Sequence, residues 1–326
     1  MGRTRSASVA SVIALCAFMV AGCTSADEGG QTVAEVASSG PATATTTDMD
    51  NPADQQGTVT KVDYRSEYRG DSIAKHALVY TPAGYDEQPT KRYDIVYLMH
   101  GAGGNAGSWF GSNGDDGSQL QNLLDNMTED GRIDPMIVVT PTFYPDDNAS
   151  LDLHYAGELD RRFHVELESD LMPAVESQFR TYAESADREG FAASRSHRAF
   201  GGFSMGGVTT WYTFINNLDA FRYFMPMAGD SWAIADNGGL VEPERTAAHL
   251  DRVARESGFD RSQYLILASV GGSDGTIGQM QPQIREMREF PSSFDDDNLR
   301  FTLDEGGGHD DDSFLQQLRA SIQQIF

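Results

Sequence analysis

Cysteine is nearly absent. The only two, Cys16 and Cys23, lie close to the N-terminus of the 326-residue chain, so its body can hold neither a disulfide framework nor a cysteine-based metal or redox site. No zinc signature and no internal repeat occurs. Positive charge is scarce as well: 24 Lys and Arg stand against 49 Asp and Glu, a formal net charge of -25. Such a surface repels nucleic acid and anionic membrane faces over a Debye length or more, and a neutral substrate suits it better. The acidic excess also fits the solubility needs of a protein outside the cytoplasm. The apolar run Val9 to Val20 falls short of the roughly 20 residues that span a bilayer.

That run has instead the length of a signal-peptide core, with Arg3 and Arg5 ahead of it and Val20-Ala21-Gly22-Cys23 behind it. Small residues before a cysteine at such a place resemble a bacterial lipobox, in which the cysteine is lipidated and becomes the mature N-terminus. The expected organisation is therefore a lipoprotein signal peptide over 1–22 and a lipid anchor on Cys23; the alternative is a conventional secretory signal with Cys23 incidental. Either version exports the protein, and the anchored one sits at the bacterial surface facing outward. Residues 23–57, rich in Ser, Thr, Ala, Gly, Asp and Gln, lack the apolar surface that offsets ordering entropy, so a flexible tether is expected. The membrane is then reached only through the lipid.

With 39% hydrophobic and 10% aromatic residues, the remainder, 58–326, can build a sizeable core. Thr58 to Tyr68 and Lys75 to Tyr85 read as two edge strands. Tyr93 to Met99 is an apolar run suited to a strand covered on both faces. A helix over Ser118 to Met127 and a strand over Met136 to Thr140 follow, then a helical pattern from Phe163 to Tyr182 interrupted by Pro173. Later strands are expected at Tyr223 to Met227, Tyr264 to Val270 and Leu299 to Leu303. Helices are expected around Glu242 to Glu256, Ile277 to Phe290 and Ser313 to Phe326. Strands alternating with helices predict an α/β fold, a mostly parallel sheet with helices on both faces, in one domain.

Gly202-Phe203-Ser204-Met205-Gly206 reads as GxSxG, in which glycines let a serine occupy a sharp strand-to-helix turn. Its lead-in, His197-Arg198-Ala199-Phe200, predicts only a brief strand; Val208, Trp211, Tyr212 and Ile215 predict a helix with one buried face. In a parallel sheet, ligands bind beyond the strands' carboxyl ends. Loops at that edge carry His100-Gly101-Ala102-Gly103-Gly104, Ser204, Gly272-Ser273-Asp274 and Gly306-Gly307-Gly308-His309. A serine needs a base and a carboxylate to orient that base, and His309 and Asp274 follow Ser204 in the order of the α/β-hydrolase arrangement. An oxyanion would take the N–H of Met205 and that of Ala102, with Gly103 as the alternative.

Other candidates stay open. Asp230 is a second possible acid. His100 and His164 are possible bases, read respectively as a residue ordering its loop and as the structural start of a helix. Asp310, Asp311 and Asp312 suit the acidic first turn of the terminal helix; Asp295 to Asp297 read as a solvated loop, with a calcium site as the alternative although the ligand spacing is lacking. Trp109, Trp232 and Tyr144 sit in loops where they could stack on an aromatic acyl group or a sugar, or could pack those loops. Trp211 is expected in the core.

Taken together, the Gly-rich loop from Leu98, the GxSxG turn, Gly272-Ser273-Asp274 and Gly306 to Asp310 resemble the esterase D group of α/β-hydrolases, particularly feruloyl and acetylxylan esterases of carbohydrate esterase family 1. The resemblance covers most of Thr58 to Phe326. It implies a metal-free serine esterase, without cofactor, that cleaves hydroxycinnamoyl esters of plant xylan or related phenolic esters through an acyl-enzyme on Ser204. A small phenolic ester or an acylated xylan oligosaccharide is then the expected partner. Deacetylation of xylan is the alternative within the family, and a glycan-binding lipoprotein without chemistry is the alternative outside it. Beyond His309, where the family often continues with aromatic residues, this chain has three aspartates.

Overall fold

The computed structural model describes residues 47–111, 118–148 and 150–326. Eight strands form one sheet: β1 (Thr58–Tyr68), β2 (Asp71–Thr81), β3 (Ile95–Met99), β4 (Ile137–Thr140), β5 (Arg198–Phe203), β6 (Tyr223–Met227), β7 (Leu265–Gly271) and β8 (Leu299–Asp304). Their order is β1-β2-β4-β3-β5-β6-β7-β8. From β4 to β8 every pairing is parallel, while β1 and β2 join as an antiparallel hairpin. All of β3, β4 and β5 is buried, because helices cover both faces, as parallel sheets require. This is the α/β architecture the alternation predicts.

Several boundaries differ from the sequence reading for identifiable reasons. Only Arg69 and Gly70, both at positive φ, separate β1 from β2. Positive φ at both central residues is what a tight primed hairpin turn needs, so β2 starts at Asp71 rather than Lys75. It pairs with β4 as well as β1, leaving β1 and β8 as the sheet edges. β5 is a full strand beginning at Arg198. That guanidinium is buried and bonds both Glu176 carboxylate oxygens at 2.8 Å, plus the carbonyls of Phe191 and Ala220 and the Ser194 hydroxyl. Glu176 also accepts from Tyr97 and Thr181. A buried ion pair is tolerable when its remaining groups are satisfied in this way, and no local pattern announces it.

The helical pattern expected from Phe163 begins earlier, at Leu153, where Asp152 accepts the N–H groups of His154 and Tyr155. It passes through a π-helical segment, Leu167–Leu171, just before Pro173, and ends at Glu176. His164 accordingly lies in the last turn of a helix, not at the start of one. A short helix at Arg188–Ala193 was not expected.

The signal peptide, Cys23 and the tether up to residue 46 lie outside the described residues. The tether's final part, however, is docked on the domain, so the flexible boundary at 57 is corrected. Asp48 pairs with Arg132 at 2.8 Å and Arg319 at 3.4 Å, Met49 is buried, and the amides of Asn122 and Asn126 donate to the carbonyls of Met49, Asp48 and Asn51. Low hydrophobicity does not prevent docking here, because side chains of helix Gln119–Glu129 satisfy the segment's backbone.

Below the β5–helix junction sits a buried carboxyl without a cation. Asp160 is fully buried on helix Leu153–Glu166; its Oδ1 lies 2.6 Å from the Thr209 hydroxyl, and its Oδ2 has no partner. Thr209 Oγ1 is also 2.9 Å from the Met205 carbonyl, so its single proton can go there only if Asp160 supplies the other. Burial raises the Asp160 carboxyl well above the carboxylate range, against a smaller lowering by the Thr209 bond. The native state thus holds a proton that the unfolded chain releases, and stability falls as pH rises from the ordinary carboxylate value towards the raised one. Asp160→Asn removes that dependence. Its melting temperature at pH 8 should exceed the wild-type value by roughly a few degrees, with the gain shrinking towards pH 4; a lower melting temperature at pH 8 would show that the ionised form is the native one.

Candidate active site

Ser204 follows β5 directly and stands at the N-cap position of helix Met205–Asn216, with φ 58° and ψ -118°, a conformation costly for a residue with a Cβ. Its surroundings hold it there. A Cβ on Gly202 would lie 2.5 Å from the Gly206 carbonyl oxygen and 2.7 Å from that of Met99, and one on Gly206 would collide with Met99 O. The backbones of the turn, its helix and the end of β3 are therefore in contact, and only glycine fits between them. Ser204 N–H donates to Met227 O at 2.9 Å, tying the turn to β6 on its other side.

The sheet brings the three widely separated residues into one line. Ser204 Oγ lies 2.9 Å from His309 Nε2, and His309 Nδ1 lies 2.7 Å from Asp274 Oδ2. Asp274 is buried at 2% exposure, and its other oxygen accepts both the N–H and the hydroxyl of Thr276 at 2.8 Å. Burial alone would raise this carboxyl, but the bonds from His309 and Thr276 outweigh it and hold the group below its ordinary value. A stable carboxylate on Nδ1 makes that nitrogen the donor and leaves Nε2 as acceptor for the serine proton. The imidazole packs on Phe203, ring centroids 4.8 Å apart, and Phe203 on Phe314. Thr276 and Phe203 were not singled out from sequence. The Asp274-Gly275-Thr276 spacing carried a signal for the first, since such a turn folds a threonine back onto the aspartate.

The Gly-rich loop after β3 lies against the serine: a Cβ on Gly101 would be 3.1 Å from Ser204 Cβ. His100 orders this loop as expected. It is buried, its Nδ1 is 2.7 Å from Gly101 O, and its Nε2 is 2.7 Å from Thr142 Oγ1. Burial depresses its pKa to about 4, so the ring is neutral, donating to Gly101 O and accepting from Thr142. Gly103 gives its N–H to the Tyr144 hydroxyl at 3.2 Å, so that N–H is already engaged, and of the two candidates in the loop Ala102 is the one without such a bond to Tyr144. Met205, at the first turn of its helix, offers the other N–H.

Asp230 is not the partner of His309. It is buried, its carboxyl accepts Trp232 Nε1 at 3.0 Å and Gly239 N–H at 2.7 Å, and burial lifts its pKa to about 6. Asp310 caps the terminal helix through Ser313 N–H, with Asp311 and Asp312 in its first turn. Asp295 accepts the N–H groups of Asp297 and Asn298 and pairs with Arg261. Tyr144 is corrected from substrate platform to strut: fully buried, it stacks on His100 and donates to Ser150 O. Trp232 keeps 6% of its surface exposed and lies against Gly157. Trp109 stacks one face on Phe314 with centroids 3.8 Å apart. Trp211 is in the core, donating to Gly229 O.

A strained serine at the end of a central parallel strand, with a histidine and a carboxylate on the loops after the last two strands, defines an α/β-hydrolase fold with a serine-hydrolase arrangement. The chain belongs to the "Putative esterase" family, whose model matches residues 74–324. Among solved structures, it is similar to a mutant of the feruloyl esterase module from Clostridium thermocellum complexed with sinapinate. That match has 36% identity and a TM-score of 0.73, and covers 86% of this chain and 91% of that one. It is 38% identical over 264 residues to endo-1,4-beta-xylanase Y of Acetivibrio thermocellus, and 29% identical over 181 residues to the endo-1,4-beta-xylanase/feruloyl esterase of Xylanibacter ruminicola. Those alignments cover 79% and 54% of this chain but span only 22% of either relative's length.

The tightness of the serine turn can be tested by adding one methyl group. Gly206→Ala places its Cβ against backbone that cannot swing aside, so soluble yield and the cooperative thermal transition should be lost. Gly278→Ala, on helix Ile277–Met287 with open space around it, should fold and gain about 0.5–1 kcal/mol from reduced unfolded-state freedom. A normal melt for Gly206→Ala would refute the close approach.

Proposed function

We propose that this chain is a serine esterase that hydrolyses hydroxycinnamoyl esters of the feruloyl type, such as those borne by plant cell-wall xylan. The observation that carries the reading is the single imidazole bridging Ser204 and Asp274. Ser204 Oγ attacks the acyl carbon while its proton passes to His309 Nε2. The carbonyl electron pair moves onto oxygen, where the N–H groups of Met205 and Ala102 receive it. Collapse of this intermediate breaks the bond to the alcohol oxygen, which takes the proton from His309 and leaves an acyl ester on Ser204. Water, deprotonated by His309, then attacks that ester, and release of the acid returns the proton to Ser204. Each step uses only groups of this chain, substrate and water. The similarity to a feruloyl esterase module at 36% identity supports the choice of a phenolic acyl group over acetate.

Ser204→Ala should lower kcat for methyl ferulate by roughly ten-thousandfold or more, and Asp274→Asn by about ten-thousandfold, since the amide fixes the wrong histidine tautomer. Intact turnover in Ser204→Ala would sink the catalytic reading. Faster release of acetate from acetylated xylan than of ferulate from methyl ferulate would move the assignment to a deacetylase.

Export and lipidation at Cys23 belong to the same reading, supported by the apolar run Val9 to Val20 ending in Val-Ala-Gly-Cys. Anchored there, the enzyme would face polymeric substrate outside the cell. Bacteria expressing the full chain and fed radioactive palmitate should yield labelled protein, and Cys23→Ala should abolish the label; label persisting in that variant would exclude the anchor.

A further inference from the structure

A large concavity among the described residues contains none of Ser204, Asp274 or His309. It measures about 970 Å³, at the upper end of the roughly 300–1,000 Å³ typical of ligand sites, and opens where the fold places function. β2 runs antiparallel to β4 with Leu78 opposite Thr140, so its residues before Leu78 run on past the carboxyl end of β4. Lys75 marks this overhang: its ammonium, buried at 1% side-chain exposure, donates to Thr142 O and Glu166, both at 2.8 Å. The hairpin tip, Tyr68 to Asp71, therefore stands above the sheet edge that carries Ser204. Helix Leu153–Glu166 forms the facing wall, and Phe143 lines the space between them.

The lining has a definite chemistry. Tyr68 and Tyr155, one from each wall, bring their hydroxyls to 3.4 Å, and the Arg69 guanidinium lies 5.1 Å from the Tyr68 ring centroid. Arg69 and Arg162 are interleaved with Glu67 and Glu158, so neither sign dominates, which disfavours polyanions and polycations. Partly buried tyrosine rings with donors and acceptors of both signs suit a neutral ligand rich in hydroxyl groups, whose ring faces stack while its hydroxyls bond. The concavity is also linked to the serine. Tyr155 packs on Tyr144 with centroids 6.2 Å apart, and Tyr144 accepts the Gly103 N–H in the loop whose Gly101 lies against Ser204.

We propose that the cleft between the β1–β2 hairpin tip and helix Leu153–Glu166 binds the neutral glycan chain that carries the ester. The carrier role rests on the esterase reading of Ser204; binding of the glycan does not. Isothermal titration of the full chain with xylohexaose, an unesterified neutral glycan, measures the second alone. Wild type should bind, and Tyr68→Ala or Tyr155→Ala should each weaken binding about tenfold, the size of one lost stacking contact. Tyr155→Phe should keep most of the affinity. Arg162→Ala, altered at an exposed side chain, should weaken binding severalfold and covers the case in which a tyrosine variant fails to melt cooperatively.

With feruloylated xylo-oligosaccharide and methyl ferulate as paired substrates, the ratio of their kcat/KM values should favour the oligosaccharide in wild type and fall by the same factor in these variants. No binding of xylohexaose, or affinity unmoved by all the substitutions, overturns the proposal. Ferulate competing with xylohexaose for the cleft would likewise reassign it to the acyl group. Loss of hydrolysis of both esters with xylohexaose binding intact would instead remove the esterase reading and leave a glycan site.

Discussion

The backbones of β3 and the helix after Ser204 meet with no room for a side chain between them, and the rest of the site follows from that contact. Because Gly202 and Gly206 let Met99 O approach this closely, the chain must reverse direction within one residue. Ser204 takes a positive φ as a result, and the strain is held by β3, β6 and the helix together rather than by the turn itself. Its hydroxyl is thereby presented at the sheet edge, where His309 can reach it. A serine on a relaxed loop would lose that fixed geometry, and with it the preorganised line to Asp274.

Charge is handled in three different ways inside this acidic chain. Arg198 and Glu176 are buried as a fully bonded pair that anchors the beginning of β5, far from the chemistry at its end. Asp274 is also buried, yet stays ionised because His309 and Thr276 bond it. Asp160 has neither cation nor enough donors and is held as the neutral acid. The same side chain thus serves opposite purposes according to what faces it. Around the serine the scaffold is mostly neutral: His100, Thr142 and Tyr144 fix the oxyanion-side loop through single, directed bonds.

Much of the fold is legible in the sequence because apolar runs such as Ile95 to Met99 can only be strands with both faces covered, and the helix after Ser204 shows its buried face by spacing. What escaped was whatever depended on distant partners. Arg198 reads as the polar lead-in to a brief strand until Glu176 is seen beside it. Residues 48–57 look like tether until the amides of Asn122 and Asn126 meet their carbonyls. Tyr144 looks like a binding platform until the packing buries it.

By itself, the sequence determined which residue types could perform acyl transfer and in which loops they stand: a serine between glycines, then an aspartate and a histidine after later strands. Those features are local, since glycine is required wherever backbones touch and strand ends are marked by apolar runs stopping. Only the tertiary structure decided that Asp274 and not Asp230 faces His309, that the Gly103 N–H is already engaged, and that a cleft flanks the site. Each of those depends on which groups come within about 3 Å of one another, and such distances arise from sheet register and loop packing between residues far apart in the chain.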